Sequence, residues 1–179
     1  MFEKSVSLLM AKNITLEKGL TLDEIVLIEK IYGIVFPKSL RDFLMTVLPV
    51  SKGFYNWRNH TSENIEYIKF MIDEPIKCIN NRPEDIYWCE EWGEEPIDMN
   101  CFATEVKNRL KNAPKLVPIY AHRYMPVISS ENPPVISIHG ADIIYMGENL
   151  VEYFNIEFGD RRQDTIKSII PIPFWTDIM

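Results

Sequence analysis

The residues of this chain best suited to chemistry stand together in one run, His122-Arg123-Tyr124. An imidazole flanked by Tyr120 and Tyr124 could act as a general base, and the adjacent guanidinium could clamp an anion. The same letters also describe a strand of alternating polarity beside a turn, whose polar groups find structural hydrogen-bond partners. No Ser or Cys nucleophile with a recognisable elbow or signature accompanies the run. His60, His122 and His139 lack H-x-x-x-H or H-E-x-x-H spacing, and Cys78, Cys89 and Cys101 neither pair as C-x-x-C nor cluster with them. With seven glycines and no G-x-x-x-x-G-K-[ST] or G-x-G-x-x-G run, there is little material for a phosphate cradle. The expectation is no catalytic residue, no metal and no cofactor.

A second run suits recognition instead. Trp88-Cys89-Glu90-Glu91-Trp92-Gly93-Glu94-Glu95-Pro96 carries two Trp and four carboxylates. Trp is enriched at binding hot spots, and clustered carboxylates steer a basic partner. Trp88, Glu90, Glu91, Trp92, Glu94 and Glu95 are therefore candidate partner-binding residues. The competing reading places both rings in the core and leaves the glutamates merely solvated. Tyr55 and Trp57, within Phe54-Tyr55-Asn56-Trp57-Arg58, form a second candidate aromatic loop.

Composition bounds these readings. At 179 residues, 46% of them hydrophobic, the chain can bury a substantial core as a single domain over 1–179 without disulfide staples. Three widely spaced cysteines do not make a secreted disulfide framework. The apolar stretch Val6–Ala11 is short and broken by Ser7, so neither a signal peptide nor a membrane span is expected, and the cytoplasm is the expected location. A net charge of −7 opposes direct nucleic-acid binding and favours a basic protein partner.

The elements that must position these residues follow from local chemistry. Thr21 and Glu24 make an S/T-x-x-E capping box, Leu20 and Ile25 occupy the staple positions, and Gly33 can end the helix in the left-handed conformation. Pro37 starts a second helix with Leu40, Phe43, Leu44, Val47 and Leu48 on one face, closed by Pro49. A third begins at Thr61 or Ser62, turns Ile65, Ile68 and Ile72 inward, and stops before Pro75. The stretch 75–98 reads as irregular, and Phe102, Val106 and Leu110 mark a further helix. Residues 116–120, 135–139 and 142–146 read as strands, the last two forming a hairpin. Pro118 marks an edge or a bulge. Asn149 caps a helix bearing Leu150, Phe154 and Phe158, ended by Gly159. The apolar tail from Ile169 to Trp175 is expected to lie across the domain. The order gives α+β, with helices packed on one mixed or antiparallel sheet.

Several of these runs resemble the SUKH superfamily in its Smi/Knr-type bacterial branch. Leu20-Thr21-Leu22-Asp23-Glu24-Ile25 with Tyr32-Gly33-Ile34-Val35-Phe36-Pro37 is similar to the opening of that domain. Pro118-Ile119-Tyr120-Ala121-His122-Arg123-Tyr124-Met125-Pro126 resembles its P-I-Y-x-H-R-Y-x-P run. Asp142-Ile143-Ile144-Tyr145-Met146-Gly147 resembles its D-I-I-Y-x-G strand, Trp92-Gly93 its W-G turn, and Phe174-Trp175-Thr176-Asp177-Ile178 its F-W-S-D-I ending. Leu48–Gly53 departs from the family's N-G-G-like turn, and Pro133-Pro134 replaces a single Pro. The resemblance implies a SUKH-like fold and a non-enzymatic immunity protein that neutralises a polymorphic toxin, often a nuclease, by tight binding. The alternative it implies is a regulatory scaffold with several protein partners. A small hydrolase built around His122 is a third reading, which needs a deep pocket of converging titratable groups.

Overall fold

The computed structural model describes residues 2–167 and 169–179. The capping box at Thr21 forms in full. The Thr21 hydroxyl accepts the Glu24 N–H at 3.2 Å, and the Glu24 carboxylate accepts the Thr21 N–H at 2.7 Å. The helix it starts, α2 (Leu22–Tyr32), ends at Gly33 with φ +63°, as the left-handed stop requires. Before it come α1 (Glu3–Ala11) and a short strand, β1 (Leu16–Lys18).

The second expected helix is shorter than its apolar spacing suggests. α3 (Lys38–Thr46) gives way at Val47 to β2 (Val47–Pro49), which pairs antiparallel with β1 in the register Leu16↔Pro49, Glu17↔Leu48, Lys18↔Val47. Val47 and Leu48 fit a helical face equally well, but a partner strand from a distant part of the chain captures them. Gly19 permits the approach, because a Cβ there would sit 2.0 Å from the Met45 carbonyl oxygen.

α4 (Ser62–Asn81) runs straight through Pro75, where the sequence reading ended it. Proline removes the N–H that would bond the carbonyl four residues earlier, that of Met71. The Tyr124 hydroxyl donates to this carbonyl instead, at 3.0 Å, so the break is repaired from the sheet. Two 3-10 turns follow, Pro83–Asp85 and Glu90–Trp92. Then comes α5 (Met99–Leu110), N-capped by Asp98, whose carboxylate accepts the Asn100 and Cys101 N–H groups. Phe102, Val106 and Leu110 bury one stripe of α5, each worth about 1.5–3 kcal/mol relative to exposure.

Four strands complete the main sheet: β3 (Leu116–Tyr120), β4 (Arg123–Pro126), β5 (Val135–His139) and β6 (Asp142–Gly147), antiparallel in the order β3-β4-β5-β6. The fold is α+β, with two antiparallel sheets in place of the single one expected. β4 is the strand of alternating polarity beside a turn that His122-Arg123-Tyr124 allowed, added to the three read at 116–120, 135–139 and 142–146. Pro118 lies on edge strand β3 and also beside a register shift, meeting both options open to it. α6 (Leu150–Glu157) is capped by the Asn149 side chain, which accepts the Glu152 N–H at 3.0 Å.

Alternation along the strands sorts the core into two layers. Val117, Met125 and Val135 face a cluster that includes Leu9, Ile28, Phe43 and Phe154 from α1, α2, α3 and α6. Leu116, Tyr124, Ile136 and Ile138 face a second cluster with Phe102, Val106 and the tail residues Ile172, Phe174 and Trp175. The sheet is thus covered on both sides, which explains why its strands read as nearly continuous apolar runs. The tail does lie across the protein: Trp175 is fully buried, and its indole N–H donates to the Pro114 carbonyl at 2.9 Å. Among the described residues no helix is long and apolar enough to cross a membrane.

Candidate functional site

The link between α4 and α5 carries the Trp-Glu run on the side of the sheet that holds the tail. Trp88 packs on Phe102 with ring centroids 5.3 Å apart, and Trp92 meets Trp88 edge to face at 5.3 Å. Trp92 also stacks on Phe174 at 5.9 Å. The Arg109 guanidinium lies 4.8 Å from the centre of the Trp92 ring and donates to the Trp92 carbonyl at 3.2 Å. Both indole N–H groups are engaged, Trp88 with the Gly93 carbonyl at 2.8 Å and Trp92 with the Asp177 carboxylate at 3.3 Å. The two rings are half-buried anchors. They fix the segment to the core and leave little ring surface free.

The charged members behave differently. Glu90, Glu91, Glu94 and Glu95 are exposed, and none of the four forms an ion pair among the described residues. Around them the same segment presents three apolar side chains that the sequence reading passed over. Tyr87 is 83% exposed, Ile97 100% and Met99 57%. Their signal was present in the sequence as apolar residues amid Pro, Asp and Glu with no periodic partner. Beside Glu90 and Glu91 a cleft of about 440 Å³ opens against Tyr145, Thr176 and Asp177. Asp177 is held rigid there by the Trp92 indole and by the Phe174 N–H at 2.9 Å. The segment therefore combines a fixed base, unpaired negative charge and projecting apolar groups.

Tyr55 and Trp57 do not join this surface. Each is only 2% exposed. Trp57 meets Tyr32 and Phe36 edge to face at 5.4 and 5.1 Å, and the Tyr55 hydroxyl donates to the Ala121 carbonyl. Their large apolar area is spent in the core, so the second aromatic loop is a packing element. Its Arg58 is a hub, donating to Glu24, to Glu17 and to the carbonyls of Lys18 and Gly19.

The His122-Arg123-Tyr124 run is divided by the pleat. Arg123 pairs with Glu157 at 3.2 Å and donates to the buried Ser137 hydroxyl at 3.0 Å, while Tyr124 points to the opposite face and serves Met71. His122 lies at the turn before β4, its ring 6.0 Å from that of His139. Partial burial, then Arg123 and His139, hold its pKa below the usual imidazole range. Cys101 is exposed, and its thiol pKa is raised by the Asp98 carboxylate. Among the described residues no group of three or more His, Cys, Asp or Glu side chains is placed to hold a metal ion. Set against known protein families, characterised proteins and solved structures, the chain finds no match.

Proposed function

We propose that this chain is a non-enzymatic protein-binding domain of the SUKH type, acting in the cytoplasm as an immunity protein that neutralises a nuclease toxin. The observation that carries the reading is the segment 84–99. It offers five exposed glutamates, Glu84, Glu90, Glu91, Glu94 and Glu95, without an ion pair among the described residues, beside the exposed Tyr87, Ile97 and Met99, on a base anchored by Trp88 and Trp92. Nucleases present basic surfaces to their substrates, and an acidic face with apolar projections competes for such a surface. The carboxylates accelerate encounter, and the apolar groups slow dissociation once water is excluded.

Recovery of the tagged chain from its native host tests the class of partner. One abundant basic protein in equal amount supports immunity, and a mixed set of partners supports the scaffold reading. Changing Glu90, Glu91, Glu94 and Glu95 together to Gln then tests the face. Association with the recovered partner should slow about tenfold or more at low salt and lose most of its salt dependence. An unchanged association rate would remove the acidic segment from the interface.

A further inference from the structure

The acidic segment is tied to the rest of the protein by side chains. Between Tyr87 and Ile97 the backbone–backbone hydrogen bonds of the described residues are local. The Trp92 N–H donates to the Cys89 carbonyl at 2.9 Å, and the Gly93 N–H to the Glu90 carbonyl at 3.1 Å. Outward, Trp88 rests on Phe102 and Arg109 reaches the Trp92 carbonyl. Trp92 meets the tail twice, through its ring on Phe174 and its indole N–H on Asp177.

The tail turn that Trp92 meets is strained. Phe174 has φ +67°, a left-handed conformation that a bulky side chain keeps only where its surroundings hold it. Its ring lies within 15° of parallel to Trp92 and edge-on to Trp175 at 5.4 Å. Its N–H donates to Oδ2 of Asp177 at 2.9 Å. The Trp92 indole donates to that same oxygen at 3.3 Å, from 85 residues away in the chain. One carboxylate oxygen therefore joins the strained turn to the acidic segment. The tail has other holds. Trp175 is buried and bonded to the Pro114 carbonyl, and the Thr176 hydroxyl exchanges hydrogen bonds with the Ile172 backbone at 3.0 Å. Removing the carboxylate would thus free the segment without releasing the tail.

We infer that Asp177 is the positioning residue of the acidic face. It fixes the Glu90–Trp92 turn against the tail, and with it the place where Glu90 and Glu91 stand. A segment that holds one shape before contact loses less freedom on binding, and the whole population is competent to bind. The consequence for a partner rests on the acidic segment being the binding face. The coupling between Asp177 and Trp92 does not.

Hydrogen exchange at the amides of residues 92 and 93 and at the Trp92 indole, followed by NMR on the full chain, tests the coupling without a partner. Asp177→Ala should speed exchange at all three about tenfold or more, while the amides of Val106 and Leu110 keep their rates. Asp177→Asn retains a carbonyl oxygen for both donors and should restore most of the protection. Trp92→Phe keeps a ring on Phe174 and drops the N–H. It should speed exchange at 92 and 93, and add little when combined with Asp177→Ala. With the partner recovered from the native host, Asp177→Ala should weaken binding about threefold to tenfold, and Asp177→Asn about twofold or less. Both substitutions remove the same charge, so the difference between them isolates positioning. Exchange unchanged in Asp177→Ala and Trp92→Phe, a rise shared equally by Val106 and Leu110, or equal effects of Asn and Ala would overturn the inference. A partner indifferent to the four Glu→Gln changes would remove the binding role of Asp177, and the coupling would then be judged on exchange.

Discussion

The repair of α4 at Pro75 makes a quantitative claim about Tyr124. In the wild-type chain the Met71 carbonyl has lost the N–H that residue 75 would normally donate, and the Tyr124 hydroxyl at 3.0 Å replaces it. Tyr124 is 1% exposed, so Tyr124→Phe leaves both ring packing and burial nearly unchanged and removes only the donor. Stranding a buried carbonyl costs about 1–3 kcal/mol. Taking about 2 kcal/mol, the midpoint of thermal unfolding should fall by roughly 4–8 °C for a chain of this size. Pro75→Ala restores a backbone N–H within reach of the same carbonyl. In that background Tyr124→Phe still removes one hydrogen bond but strands nothing, so its cost should drop to about 0.5–1 kcal/mol. Urea unfolding of the four proteins, followed by tryptophan fluorescence, gives the coupling directly. A coupling of about 1 kcal/mol or more is expected. A Tyr124→Phe cost that is equal in both backgrounds, within about 0.3 kcal/mol, would refute the idea that the sheet repairs the helix.

Two further outcomes follow from the structure. Arg58 and the capping hydrogen bonds hold the Glu24 carboxyl down to about 2, against 4.5 unperturbed. Because the folded value is the lower one, this stabilisation is complete above about pH 5 and is lost as the pH falls toward 2. The pair is about 30% exposed, and screening reduces its worth to about 0.5–1 kcal/mol. The stability gap between wild type and Arg58→Gln should therefore narrow between pH 5 and 2, leaving the part owed to the Lys18 and Gly19 carbonyls, and a gap constant across that range in acid titration of folding would contradict the assignment. Trp175→Phe removes the N–H that serves the Pro114 carbonyl and shrinks a ring that is fully buried, so it should cost about 2–4 kcal/mol in guanidinium unfolding. A loss under about 0.5 kcal/mol would show that the tail merely covers the sheet.

Local chemistry was sufficient wherever the signal and its partner lie a few residues apart. The Thr21–Glu24 box, the Gly33 stop, the Asn149 cap and the α5 stripe at Phe102, Val106 and Leu110 are all legible in the sequence, because each is satisfied within its own turn or helix. So is the β5–β6 hairpin. What failed was long-range. Val47 and Leu48 fit a helical stripe until β1 offers them hydrogen bonds, and Pro75 ends a helix unless a tyrosine hydroxyl from the sheet donates to the carbonyl it leaves free.

The candidate surface divides along the same line. The sequence by itself determined that this is an α+β chain, acidic, with an aromatic and carboxylate-rich run at 88–95 and no recognisable nucleophile, metal or phosphate motif. Only the tertiary structure decided which of those aromatic residues could be touched. Tyr55 and Trp57 went to the core, Trp88 and Trp92 became anchors, and Tyr87, Ile97 and Met99 were left outside. The reason is physical. Residue type sets how much apolar area a side chain carries, whereas burial depends on whether distant segments arrive to cover it. Here α5, the tail and β3 cover some of these rings and leave others in water.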